Sequence, residues 1–370
     1  MGRWAAPDHM GAIFDNTDSL GSNHRFQQVF SNGSRPMVCF LHCNTASRRA
    51  GFLKFGCPGK QGFSLVEVLV AMAVFALLLI LLASAGNSTL QIWSRARGQI
   101  SSFQSARDTF ESLTRKLSQA TLNTYWGYNN VTNPTQYLRR SELQFVCGPA
   151  AALLGADYGP TDATFFQSPS GYSLNATNRP LNQLLNSCGY FIQFGSDQTN
   201  RPGFVNSPAR WRYRLMELVQ PTEEMSVHEQ RGTKDWYQTA VAAGEAWPVA
   251  DNIIALVIRP LRSLAADPSQ NREITTDYAY DTSAGNSSTT TTANQLPPLL
   301  GVTLVAIDEA SAERITSGST PPAWVTPDLF TETAKFDADL KTVENNLIRD
   351  HVNYRIFSTE IALPGSKWSE

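Results

Sequence analysis

The sequence predicts an α+β protein in which one long N-terminal helix, apolar at first and amphipathic afterwards, packs on a mostly antiparallel β-sheet head. Three observations carry that prediction. The run from Phe63 to Ala85 is apolar with Glu67 as its only charge. From Trp93 to Ala120 the apolar residues Trp93, Ala96, Ile100, Phe103, Ala106, Phe110, Leu113, Leu117 and Ala120 recur at spacings of three and four, the period of an amphipathic helix. Beyond Tyr125, short apolar runs alternate with Gly, Pro, Asn and Ser, as strands and turns do.

Of the 370 residues 42% are hydrophobic and 17% charged, a balance that permits a sizeable core and argues against a disordered chain. The net charge of -2 supplies no whole-chain attraction to a polyanion, so no nucleic-acid partner is expected.

Residues 1–62 have little periodicity. Cys39, His42, Cys43 and Cys57 can be drawn as a zinc cluster, but a paired CxxC is missing, and incidental cysteines are the reading. Arg48, Arg49, Lys54 and Lys60 precede the apolar run, and Arg95 and Arg97 are the first charges after it. This bias predicts a cytoplasmic N-terminus with a periplasmic remainder. Residues 63–85 are long enough as a helix to cross a hydrocarbon core of about 30 Å. A buried soluble helix is the poorer account, because Leu77 to Leu82 is apolar on every face. A cleaved secretory signal ending at Ala83-Ser84-Ala85 is the rival.

An amphipathic helix is expected over residues 86–123. No proline falls between Phe63 and Asn133, so one helix of about 60 residues is expected to run into the head, with Gly86 and Gly98 as sites of bending. Within residues 124–370 strands are expected at Leu143–Cys147, Tyr190–Phe194, Trp211–Val219, Ile253–Ile258, Leu299–Ile307 and Tyr354–Leu363, and a helix over Phe336–Ile348. Residues 281–294 have no large apolar side chain and are expected to form a flexible loop.

At the start of the apolar run stands Lys60-Gln61-Gly62-Phe63-Ser64-Leu65-Val66-Glu67-Val68-Leu69-Val70-Ala71. It resembles the class III signal of type IV prepilins: a glycine, an aromatic, an apolar stretch, and a glutamate at the fifth position after the cut. The resemblance implies a pilin-like fold and a leader, residues 1–62, removed by a prepilin peptidase/methyltransferase. It makes Gly62 the last leader residue, Phe63 the N-methylated first residue, and Glu67 the carboxylate that attracts the N-terminal amine of a neighbouring pilin or pseudopilin subunit. A lone carboxylate at bilayer depth costs about 2.5–3.5 kcal/mol, which is why it wants such a partner. Snorkelling to the interface is the alternative.

By the same resemblance the chain is a minor pilin or pseudopilin: a non-enzymatic, single-pass subunit in contact with inner-membrane lipid, built into a type IV pilus or a type II secretion-like pseudopilus. Residues Ala106–Trp126 and Leu296–Ile307 are similar to the early periplasmic helix and a late strand of the larger minor pseudopilins. A bacterial group called Verru_Chthon cassette protein C shares the signal, a helix end like SQATLNTYW and a closing strand like YRIFSTEIAL. The leader is longer than is usual in the family, and translation from Met37 would shorten it. The large head suits a rare or tip subunit. A membrane-anchored binding protein or adhesin, recognising a ligand through loops such as Thr121–Gln136, is the other reading.

No catalytic residue and no cofactor is expected. After Gly62 the only histidines are His228, read as a loop residue, and His351, and GxSxG, HExxH, GxGxxG and P-loop patterns are absent. The acidic pairs Asp277/Asp281 and Asp337/Asp339 lack an ordered calcium-ligand series, and read as solvated surface. Cys147 and Cys188 are the cysteines left after removal of the leader. In an oxidising compartment they are expected to form a disulfide, stabilising by about 2–4 kcal/mol.

Overall fold

The computed structural model describes residues 64–159, 161–198, 201–264, 272–283, 292–315 and 318–368. They fall into two compact units, one ending at Glu67 and the other running from Val68 to Glu370. Gly62, Phe63 and the leader cysteines lie outside the described residues, as do residues 284–291 of the expected flexible loop. In the first unit Ser64 precedes the helix, and its carbonyl accepts the Glu67 N–H at 3.0 Å.

Helix α1 spans Leu65–Ser118 without interruption, about 80 Å at 1.5 Å per residue. Its described side chains from Leu65 to Trp93 are all exposed. From Ala106 onward one stripe becomes buried: Ala106, Phe110, Leu113 and Leu117 on the helix, and Ala120 just past its end. Arg107 and Glu111 on the other side stay in solvent and pair at 2.8 Å. Burying Leu113 and Leu117 fully stabilises by about 1.5–3 kcal/mol each, which anchors this end of α1 to the head.

The head carries strands β1 (Tyr125–Tyr128), β2 (Tyr137–Arg140), β3 (Val146–Pro149), β4 (Asp162–Pro169), β5 (Leu185–Ser196), β6 (Trp211–Gln220), β7 (Ala246–Asp251), β8 (Ile253–Leu261), β9 (Tyr280–Asp281), β10 (Leu299–Ile307) and β11 (Tyr354–Ala362). Its helices are α2 (Ala150–Leu154), α3 (Val227–Gln230), α4 (Asp235–Ala242), α5 (Glu309–Ile315) and α6 (Phe336–Arg349). Among the described residues the strands form three sheets: β1-β2, β11-β10-β8, and β7-β6-β5-β4-β3-β9. Every pairing is antiparallel. The fold is therefore the expected α+β one, a long N-terminal helix with antiparallel sheets, and it is consistent with a pilin-like fold.

Sequence explains the burial of each strand. In β8 (IIALVIRPL) and β10 (LLGVTLVAI) the apolar run is nearly continuous, and both strands are buried almost throughout. Strand β11 alternates exposed and half-buried positions and forms the edge beside β10.

The six-stranded and three-stranded sheets meet at Asn252, the single residue between β7 and β8. Its φ of 63° is left-handed backbone that Asn tolerates better than most residues. Its N–H donates to Tyr213 O at 2.7 Å and its carbonyl accepts from Ile307 N at 2.9 Å. On its other edge β8 faces side chains: Thr161 Oγ1 accepts the Leu256 N–H at 3.2 Å and Asp162 Oδ2 the Ile258 N–H at 2.8 Å.

The second layer on the six-stranded sheet is α4. Phe165 stacks on Tyr237 with ring centroids 4.2 Å apart and meets Trp236 edge-on at 6.1 Å. Gly189 makes room for it, since a Cβ there would sit 2.2 Å from Phe165 Cδ1.

Candidate functional site

Glu67 stands in the first turn of α1, where a carboxylate is favoured by the helix dipole. No other charged residue occurs from Ser64 to Ser94. Leu65, Val66, Val68 and Leu69 around it are exposed, so the carboxylate sits on an apolar surface. Gly62 and Phe63, the residues read as the processing junction, lie outside the described residues.

Along the amphipathic half, α1 is tied to the six-stranded sheet by a polar contact. Lys116 Nζ donates to Glu217 Oε1 at 2.6 Å, and Tyr190 donates to the same oxygen. Tyr190 is deeply buried, and its hydroxyl is pushed well up, first by burial and then by the Glu217 charge. Phe110 and Phe357 add an aromatic contact to β11 at 5.9 Å.

Two further features bear on chemistry. Beside α1 a cleft of about 770 Å³ includes Ser101, Ser105, Arg212, Arg214, Asp251 and Glu309 in its lining. Ion pairs cross it: Arg214 meets Asp251 at 3.0 Å and Arg212 meets Glu309 at 3.0 Å. Burial acts to raise the Glu309 carboxyl, but hydrogen bonds from Arg212 and Asn252 leave it below its ordinary value. Asp162, in the seam between the sheets, is fully buried, and desolvation pushes its carboxyl up to about 8 against the Ile258 hydrogen bond. It is held for structure, because what it contacts is the backbone of β8.

The expected Cys147–Cys188 disulfide is corrected by the structure, in which both are free, buried thiols. Cys147 on β3 lies opposite Thr164, and Cys188 on β5 opposite Phe166, so β4 runs between them. Two strand spacings of about 4.8 Å each exceed the roughly 7 Å Cα separation a disulfide can span. Cys147 Sγ instead reaches Tyr278 O at 3.9 Å, and Cys188 Sγ lies 3.4 Å from Ser168 Oγ. Burial pushes both thiols up, away from reactivity.

His228 sits on the short helix α3 and is exposed. Among the acidic pairs, Asp281 Oδ1 accepts from Gln144 and Ser283, and Asp339 Oδ2 accepts the Phe330 N–H at 2.9 Å. Among the described residues no group of three or more His, Cys, Asp or Glu could hold a metal ion. Sequence reasoning missed the seam acid Asp162 and the ribbon β1-β2, whose aromatic-rich Tyr125-Trp126-Gly127-Tyr128 was the available signal.

Residues 57–83 match the family described as the prokaryotic N-terminal methylation motif. No curated protein and no solved structure matches the chain. The matched stretch contains Gly62, Phe63 and Glu67 and runs into the exposed apolar half of α1, the helix that is long and apolar enough to cross a membrane. The chain thus carries a prepilin-type signal joined to an apolar anchoring helix, and is type IV pilin-like or pseudopilin-like in that region.

Proposed function

We propose that the chain is a minor pilin or pseudopilin, cut between Gly62 and Phe63 by a prepilin peptidase, N-methylated on Phe63, and assembled with other pilin-like subunits as a structural component. The observation that carries this reading is the continuity of the methylation motif at residues 57–83 with a helix whose first half exposes apolar side chains. Such a surface finds its cover in lipid or in neighbouring helices. Glu67 supplies the polar element of that contact, pairing with the amine of an adjacent subunit's first residue. In this reading the anchor lies in the bacterial inner membrane with the head in the periplasm, and the likeness to the Verru_Chthon cassette protein C group names the narrower relationship.

Mass spectrometry of the N-terminal peptide from membranes tests the proposal. Methylated Phe63 is the expected first residue; an intact Met1 or Met37 terminus, or a cut after Ala85, overturns it. Glu67→Val is expected to leave cleavage and insertion intact and to reduce co-purification with partner subunits. A second reading, a membrane-anchored binding protein, draws on the exposed aromatic ribbon of the head and is compatible with a tip position.

A further inference from the structure

We infer that the turn at residues 202–205, between β5 and β6, docks on the bilayer that holds α1: Phe204 enters the headgroup layer, and Arg210 and Arg97 meet its anionic phospholipids. The inference rests on the anchoring of α1 in a bilayer and not on cleavage or assembly. Contacts along α1 place the turn. Lys116 meets Glu217 of β6 at 2.6 Å, and Gly98 and Ser101 line one cleft with Arg201, Pro202, Arg210 and Arg212. Read from Glu217 to Trp211, β6 therefore follows α1 back towards its apolar half, and the connection from β5 lies at the end of the sheet nearest that half.

Depth follows from the helix rise. Trp93, 65% exposed, closes the exposed apolar run of α1, and tryptophan favours the headgroup layer. Gly98 follows roughly 7–8 Å further along the helix. A turn beside Gly98 is thus within about 8–10 Å, one Debye length, of the headgroups. The turn itself is tied down. The Val205 N–H donates to Pro202 O at 3.0 Å, which leaves Phe204 at the corner with 83% of its surface exposed. At the base the Asp197 N–H donates to Arg210 O at 3.1 Å, Asp197 Oδ1 accepts the Arg210 N–H at 2.8 Å, and Arg201 donates to Pro208 O at 3.0 Å. A single exposed aromatic is ordinary; this one is presented beside the anchor by a turn with little freedom to lose.

Charge selects the occupant. Between Asp197 and Glu217 the chain has Arg201, Arg210, Arg212 and Arg214 and no acidic residue. Along α1 no acidic residue falls between Glu67 and Asp108, whereas Arg95 and Arg97 do. Carboxylates meet three of the four arginines: Asp197 meets Arg201, Glu309 meets Arg212, and Asp251 meets Arg214. Arg210 and Arg97 are exposed and have no ion pair among the described residues. Guanidinium groups beside an exposed phenyl ring match a layer in which phosphate oxygens stand over acyl chains. A stable protein interface buries roughly 800 Å² per partner, far more than Phe204 and its neighbour Val205 offer. A bilayer needs no such area, because α1 already holds the turn beside it at high effective concentration.

Hydrogen exchange read by mass spectrometry on the full chain tests this in three settings: nanodiscs containing phosphatidylglycerol, nanodiscs of phosphatidylcholine alone, and a neutral detergent. The amides of residues 203–210 are expected to exchange more slowly in the anionic discs than in the other two settings by about fivefold or more, the factor one basic residue gains near an anionic surface. Phe204→Ser and Arg210→Ser should each remove most of that slowing and keep the parent thermal midpoint, since both side chains are exposed. Residues 130–133, at the tip of the β1-β2 ribbon, should exchange alike in all three settings. The inference is overturned if residues 203–210 also exchange alike throughout, if phosphatidylcholine slows them as much as phosphatidylglycerol, or if neither variant has an effect. A lipid-phase photolabel on the same discs separates the two readings. Labelling of residues 65–82 without slowing at 203–210 removes the docking alone, and an absence of labelling removes the anchor and the docking with it.

Discussion

The two halves of α1 share a backbone and differ in what surrounds them. From Leu65 to Leu82 the helix is apolar on all sides but for Glu67 and its large side chains are exposed, whereas from Ala106 to Leu117 one stripe is buried and the rest is polar. Between them Ser88 and Thr89 turn their hydroxyls back onto Ser84 O at 3.0 Å and Ala85 O at 2.9 Å, so these two hydroxyls are satisfied within the helix. The contrast teaches that the distribution of apolar residues, rather than their number, tells which solvent a helix expects. A stripe calls for a protein partner on one side, and an all-round apolar surface calls for one on every side.

The sharpest test of that contrast is a matched pair of truncations. Leu113→Ala should destabilise the head by about 2–5 kcal/mol, read from denaturant or thermal unfolding. Leu78→Ala should leave the head's midpoint unchanged, and an equal loss from both would break the distinction between the halves.

A second test concerns the buried carboxylate Asp162 in the head. The Asp162 carboxyl is raised from 3.8 to about 8 by burial, so the folded state keeps a proton that the unfolded state releases. Its contribution is fully present below about pH 4 and is lost as pH rises towards about 8, with a slope of about 1.4 kcal/mol per pH unit at its steepest. Asp162→Asn keeps an acceptor for the Ile258 N–H and should flatten that slope; an unchanged pH profile would refute the buried, protonated acid.

Smaller effects probe how α1 is tied down. Glu217→Gln removes the ion pair with Lys116 and weakens the bond from Tyr190, and should cost about 1–2 kcal/mol. A neutral outcome would leave the apolar stripe alone responsible for docking. The least energetic test is chemical: Cys147 and Cys188 should resist alkylation in the native protein and both react after denaturation. Recovery of a disulfide-linked peptide under non-reducing conditions would contradict the strand order.

Much of the architecture was legible in the residues. The expected strands at Trp211–Val219, Ile253–Ile258, Leu299–Ile307 and Tyr354–Leu363 agree closely with β6, β8, β10 and β11, and the helix from Phe336 with α6, because their runs are long and regular. Strand β4 was missed: its DATFFQSP is short of β-branched residues and ends in proline. Strand β7, AWPVAD, was hidden by an internal proline at the sheet edge, where the lost donor is tolerated. Helix α4, DWYQTAVA, is only two turns long, too short for periodicity to speak. For the candidate site, Glu67 and the motif around it were readable from local order, while the ribbon was read as loop because its pairing joins residues on either side of an Asn-rich turn.

By itself the sequence determined the features that are local along the chain: the prepilin-type signal, the apolar run, the change to a three-and-four period, and the α+β class. Each depends on neighbours within a few turns or a single strand, so order alone specifies it. Tertiary structure decided what depends on which strands become neighbours. It placed β4 between Cys147 and Cys188 and left both thiols free. It also put Asp162 against the backbone of β8 and gathered Trp126, Tyr128 and Tyr137 on one face. The physical reason is that hydrogen-bonded pairing and burial act across space, between residues whose separation in the chain carries no record of the register they adopt.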